Sequence, residues 1–194
     1  MEQMNSGRLS EAIALQIAQL ILSGEIESET KLRQEELAST LAVSRIPIRE
    51  ALQILEAQGL VQRLATRHVV SANLEDEQIR EIYGMIAAIE QQAVAELRAG
   101  KDGFLPDQAG ADNMACHCRV VEKTQNLYVK TLLKNAVNFY VAYAESLPEE
   151  QPVASMQAIL QCDNWETQGG ALLQAHYEEL AQRVLTERKR RTHK

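Results

Sequence analysis

Along nearly the whole chain the apolar residues recur every three or four positions, the spacing that lays one stripe along a helix. Ile13, Ile17, Leu20 and Ile21 define a first helix at about 9–23, broken by the Gly-containing segment "SGEIESE". A short second helix at about 34–41 turns Leu37, Ala38 and Leu41 inward, and "AVS" makes a tight turn. Ser44 is an N-cap candidate for a third helix that runs to about Gln58 and stops at Gly59. "LVQRLATRHVVSA" then loses the helical period and gains β-branched residues, so it predicts a two-stranded hairpin with its tip near Ala65–Arg67.

Beyond "NLEDEQ" the helical period returns. Ile79, Ile82, Ile86, Ile89, Ala93 and Leu97 predict a long amphipathic helix, followed by a Gly-, Pro- and Asp-rich loop over 98–113. Further helices are expected at about 113–123, 127–146, 153–162 and 166–189, with "SLPEEQP" as a break. The chain therefore reads as mainly α, with residues 1–73 forming one domain and residues 74–194 an all-α bundle. No internal repeat is visible.

Composition narrows the function. The 194 residues carry a net charge of −7, and residues 1–73 hold seven Lys/Arg against nine Asp/Glu, a net of −2. Bulk charge does not attract this chain to nucleic acid or membrane, so anion binding must come from placement. No apolar run reaches the ~18 residues of a membrane span, and "MEQMNSGRLSEA" has no pattern of a secretory signal. Cys116, Cys118 and Cys162 are odd in number and lack a second pair for a zinc site, which suits buried or half-buried reduced thiols in a cytoplasmic protein. The tail "ERKRRTHK" places cations at a helix C-terminus, where the macrodipole favours them; nucleic-acid contact is its other reading.

Residues 34–52 carry the sharpest pattern. Ala38, Ala42 and Ile48 have the spacing of a helix-turn-helix joint, with a small residue at the crossing, a small residue in the turn and an aliphatic plug. Ala42 stands where glycine is usual, so mild strain is expected. Ile48, Leu52 and Leu55 face inward, leaving Arg45 and Arg49 on the opposite face beside Ser44 and the helix start. That arrangement suits phosphate contact and guanine edges in a major groove. Pro47 is tolerated in the first turn, and Glu50 either accepts from a cytosine amino group or pairs with an arginine. The alternative is a solvated amphipathic helix with two surface arginines.

This segment, "SRIPIREALQILEAQGLV", resembles the signature of the GntR family of bacterial transcription regulators, and the likeness extends back through "LILSGEIESETKLRQEELASTLAV" to cover about residues 9–73. It implies a winged helix-turn-helix that binds palindromic double-stranded operator DNA as a homodimer. Arg45 and Arg49 would contact bases or phosphates, Ser44 and Pro47 would stand at the helix entrance, and Arg33 would meet a phosphate. Ser28–Glu29 replaces the usual Pro-Gly, and His68 is the expected counterpart of a glycine at the wing tip. His68 and Arg67 would then reach toward the minor groove.

In the bundle, His117 shares a stripe with Met114, Val120 and Val121, and His176 with Leu172, Leu173 and Leu180, so both imidazoles should point inward. With Asn113 one turn before His117, they can bind a divalent metal (zinc or similar) or an anionic ligand. Core histidines hydrogen-bonded within the bundle are the other reading. "NMACHCRVVEKTQNLYVKTLL" and "ALLQAHYEELAQRVL" resemble the ligand-sensing FCD domain of the FadR-type GntR branch. There an Asp and three histidines hold a metal. Asn113 matches the Asp, His117 the first His and His176 the last. No histidine occurs near 150–160, and Ile86 replaces an expected arginine. The resemblance implies a regulator, of repressor type, that a small-molecule effector releases from DNA. A constitutive architectural binder with a purely dimerising bundle is the alternative. A metal-dependent enzyme is disfavoured, since no H-E-x-x-H, nucleophile elbow or phosphate-cradling glycine loop occurs.

Overall fold

A computed structural model describes residues 2–100, 112–151 and 153–192. Most of the loop expected at 98–113 lies outside those residues. Close Cα neighbours divide the chain into two compact units, Met1–Glu75 with Glu187–Lys194, and Asp76–Thr186.

In the first unit, α1 (Glu2–Leu22) begins earlier than the apolar stripe suggests. Its buried face, Ile13, Ala14, Ile17, Ala18, Ile21 and Leu22, packs on α3 (Arg45–Ala57). Between them lies α2 (Gln34–Thr40). Ile48, Ala51, Leu52 and Leu55 are each 0% exposed, so α3 is fixed by burial of one complete face. Gly59 leaves the helix at φ +72°. β1 (Val61–Arg63) pairs antiparallel with β2 (Val69–Ser71) in the register Val61–Ser71, Gln62–Val70 and Arg63–Val69. Residues 30–32 add a third extended segment: Leu32 N donates to Val69 O at 2.9 Å, and Ser71 N donates to Thr30 O at 2.9 Å. The C-terminal cations are used inside this unit, since Arg188 Nη1 donates to the Ile21 and Leu22 carbonyls and Arg191 pairs with Glu25 and Glu187.

The second unit is all helix. It holds α4 (Asp76–Ala99), α5 (Asn113–Lys123), α6 (Leu127–Ala136), α7 (Ala142–Glu145), α8 (Met156–Leu160) and, as far as Thr186, α9 (Gly170–Thr192). Asp112, Asn126 and Ser155 cap α5, α6 and α8 with side-chain oxygens. The helix expected at 127–146 is one continuous rod, but Val137–Val141 widens into a π turn. Tyr140 O in that turn accepts from the buried Tyr83 hydroxyl at 2.8 Å. The helix expected at 153–162 shrinks to α8 because Ser155 caps it. A second π turn, Trp165–Gly169, precedes α9.

The stripe assigned to α4 is buried only in part, at Ile79, Ile86 and Ala93. The buried face of the helix is Ile79, Tyr83, Ile86, Ala87, Glu90, Ala93 and Val94, while Ile82, Ile89 and Leu97 are half-buried. The apolar pattern alone favoured isoleucines over a tyrosine and a buried acid. Of the thiols, Cys116 is buried and Cys162 half-buried, but Cys118 is exposed, contrary to expectation, because it lies on the solvent side of α5.

Candidate nucleic-acid interface and a buried histidine cluster

The helix-turn-helix joint closes through Ala42, at φ +52°, where Val43 N donates to Ala38 O at 3.1 Å. The left-handed turn is thus made by an alanine. Ser44 takes the extended N-cap conformation (φ −73°, ψ 165°), yet its side chain caps nothing in α3. An exposed hydroxyl and uncapped first-turn N–H groups remain beside Arg45 and Arg49, both exposed. Arg33 pairs with Glu36 at 2.7 Å and Arg45 with Glu35 at 3.2 Å, all four side chains being at least 60% exposed. Among the described residues Arg49 pairs with no carboxylate.

Two expectations for this face change. Pro47 is buried, so it shapes the helix start from inside and offers nothing to a ligand; the exposed apolar residue of that turn is Ile46, at 58%. Glu50 is held by Ser10, whose Oγ donates to Oε2 at 2.6 Å, and among the described residues it pairs with no arginine.

At the wing, Arg67 N donates to Leu64 O and Leu64 N to His68 O, both at 2.8 Å. The left-handed residue of that turn is Arg67, at φ +64°, so Arg67 rather than His68 stands where a glycine would relieve the backbone. His68 Nε2 lies 3.1 Å from Lys31 Nζ. Arg67 and His68 are both exposed. Glu29, at φ +61°, holds the other position where the resemblance expected glycine.

The bundle brings His117 of α5 and His176 of α9 together. Both are 0% exposed, and their Nε2 atoms lie 3.2 Å apart. Asn113 does not join them: its Oδ1 accepts from Met156 N at 2.8 Å and so anchors α8. Two groups that the sequence did not single out complete the cluster. Glu145, at the end of α7, places Oε1 3.5 Å from His176 Nε2, while its Oε2 accepts from Arg183 at 3.1 Å. Glu90 of α4, 0% exposed, lies 2.9 and 3.0 Å from His117 Nδ1 and accepts from the Tyr177 hydroxyl at 2.7 Å. Glu90 follows Tyr83 by seven residues, as Ala93 follows Ile86, and that spacing is the signal that could have found it. Nothing local marks Glu145.

Electrostatics divides the two imidazoles. Burial disfavours the His117 cation, but Glu90 by charge and hydrogen bond, and Glu145 by charge, outweigh it, so its pKa is raised. Burial, then the charges of His117 and Arg183, pull His176 down to about 3. A neutral His176 makes no ion pair with Glu145. His176 Nδ1 and Glu145 Oε1 are accordingly buried without a hydrogen-bond partner.

The donor set fits a divalent ion. One atom each of His117, Glu145 and His176 lie mutually within 4.8 Å. Two ligands on a tetrahedral ion with bonds of ~2 Å stand roughly 3.3 Å apart, which the 3.2 Å separation of the two Nε2 atoms matches. An ion would also satisfy the partnerless Glu145 Oε1.

A three-helix joint with an exposed arginine-bearing helix and a β wing has the build of a winged helix-turn-helix, and an all-α unit follows it along the chain. Residues 9–69 match the bacterial regulatory proteins of the gntR family. It is 38% identical over 96 residues to the gluconate operon transcriptional repressor of Bacillus licheniformis, covering 49% of this chain and 39% of that protein. To the HTH-type regulator YieP of Escherichia coli it is 26% identical over 200 residues, covering 80% and 87%. The structure of Lar, which controls the agr system of Listeria monocytogenes, shares the fold at a TM-score of 0.50 and 17% identity, covering 91% of this chain and 96% of that one. The chain spans about two fifths of the first of these relatives.

Proposed function

We propose that this protein is a homodimeric, sequence-specific regulator, of repressor type like its gluconate-operon relatives, that binds palindromic operator DNA and releases it when a small-molecule effector occupies the bundle. The reading places it in the cytoplasm, on the FadR-type branch, with DNA reading in residues 1–73 and sensing and dimerisation in 74–194. No described helix is long and apolar enough to cross a membrane. Its relatives are named as regulators, and we assign it no reaction.

The observation that carries the reading is the open N-terminus of α3, with uncapped N–H groups, the Ser44 hydroxyl and Arg45 and Arg49 on one exposed face. Helix N-termini favour phosphate, and arginine forks match guanine edges. Arg33 adds a phosphate contact, while Arg67 and His68 extend the wing toward the minor groove. Two such helices on a dimer must sit roughly 34 Å apart, so a small change in their spacing lowers operator affinity without unfolding either.

In the bundle, His117, His176 and Glu145 would hold a divalent ion such as zinc, with Asn113 left to its structural bond. The ion would offer a Lewis-acidic centre to an anionic effector. Genomic DNA selected by the purified protein tests the main claim: enriched fragments should share a palindrome, and uniform recovery would refute sequence-specific binding. Operator binding unmoved by any member of a metabolite panel would favour the architectural alternative.

A further inference from the structure

Glu90 is the hardest residue in the bundle to explain by packing alone. It sits on the buried face of α4 between Ala87 and Ala93, and a carboxylate placed there loses several kcal/mol of hydration unless its partners are well arranged. Both Glu90 oxygens face His117 Nδ1, and Oε2 also takes the Tyr177 hydroxyl. Tyr177 is itself 0% exposed and follows His176 directly on α9. The carboxylate thus touches one histidine through a hydrogen bond and the neighbour of the other through a second.

A histidine binds a metal through one nitrogen only when the other carries the proton, and the hydrogen bond at that other nitrogen decides which is which. An Nδ1–H held by a carboxylate leaves the Nε2 lone pair facing forward, and the carboxylate makes it more basic. In this chain that Nε2 is the atom 3.2 Å from His176 Nε2.

We propose that Glu90, locked by Tyr177, is the positioning residue of the bundle's cation site, fixing His117 as an Nε2 ligand. The proposal rests on the reading of His117, Glu145 and His176 as that site. Glutamine at position 90 keeps the size and can still accept from Tyr177, but its amide can donate to Nδ1 and turn the proton onto Nε2, where it blocks ligation. Tyr177→Phe leaves Glu90 in place and removes only the lock.

The test uses the full chain and Zn²⁺ itself. Zinc affinity is measured by competition with a chromophoric chelator, and the His117 tautomer by ¹⁵N NMR of the zinc-free protein. Glu90→Gln should bind Zn²⁺ about 10–100-fold more weakly than the unmutated chain, the usual effect of removing such a carboxylate. The unmutated protein should show Nδ1–H at His117, and Glu90→Gln should lose that preference. Tyr177→Phe should weaken Zn²⁺ by a smaller factor at unchanged helical content, and it decides the matter if Glu90→Gln fails to fold. Unchanged zinc affinity in the folded variants overturns the positioning role while leaving the cation site standing. An unmutated chain that binds no Zn²⁺ overturns both.

Discussion

Replacing Arg49 by alanine tests the proposed DNA-reading face most directly, because its effect can be weighed against that of its neighbour. Arg45 is engaged with Glu35 at 3.2 Å, and the two side chains are 65% and 73% exposed. A surface pair of that kind is worth about 0.2–1 kcal/mol, which Arg45 must surrender to reach DNA. Arg49 has no such partner among the described residues and surrenders nothing. A good arginine–guanine contact contributes about 1–3 kcal/mol, so losing two in a dimer costs about 2–6 kcal/mol, or roughly 30-fold to 10⁴-fold in affinity. Arg49→Ala should therefore cost more than Arg45→Ala, and Glu35→Gln should tighten binding slightly. Fluorescence anisotropy on a selected duplex between about 50 and 200 mM salt reads all three. Stability should hardly move, since exposed substitutions stay within about 0.5 kcal/mol. Equal operator affinity for Arg49→Ala and the unmutated chain refutes the assignment, and a larger loss at Arg45 refutes the weighing of Glu35.

The geometry also sets outcomes for stability. Ala42→Gly relieves a left-handed residue worth about 1–2 kcal/mol and offsets part of that by chain entropy, so the urea midpoint should rise by the equivalent of roughly 0.5–1 kcal/mol; a fall would show that the turn is unstrained. Tyr83→Phe leaves the Tyr140 carbonyl without its hydroxyl donor and should cost about 1–2 kcal/mol in the same assay, while an unchanged midpoint would mean the π turn does not need that bond. His176, held at about 3, takes its proton later than in the unfolded chain, so its contribution is present above about pH 6.5 and is lost as pH falls toward 3. Metal-free protein should lose about 2 kcal/mol between about pH 7 and pH 5 through this group, a slope that His176→Gln should flatten. His117, with a raised pKa, acts in the other window, losing stability as pH rises above about 6.5.

What the sequence discloses depends on how local each feature is. The joint residues Ala38, Ala42 and Ile48 and the arginines of α3 lie within one short stretch, where helical spacing alone orders them. The two histidines were legible for the same reason, since each shares a stripe with aliphatic neighbours. Glu90 and Glu145 were not, because a buried acid has the same letter as a solvated one and only contacts between distant helices tell them apart. Pro47 and Asn113 failed in the opposite direction. Asn113 has the residue type and position for a ligand but is taken by a backbone N–H of α8, while Pro47, expected at the helix entrance of the DNA-reading face, turns toward the core.

The π turn at Val137–Val141 bears on how relatives of this chain should be compared. Each residue of an α-helix turns its successor by about 100° around the axis, and a π turn amounts to one residue more than the regular coil needs. Glu145 lies just downstream, at the end of α7. A one-residue deletion within the turn would swing that carboxylate away from His176 while leaving every member of the cluster in the sequence. The reverse also holds: a relative lacking the extra residue would need its acid at a neighbouring position to reach the same spot. Gap placement through this segment, rather than residue identity, decides which chains carry an equivalent of Glu145.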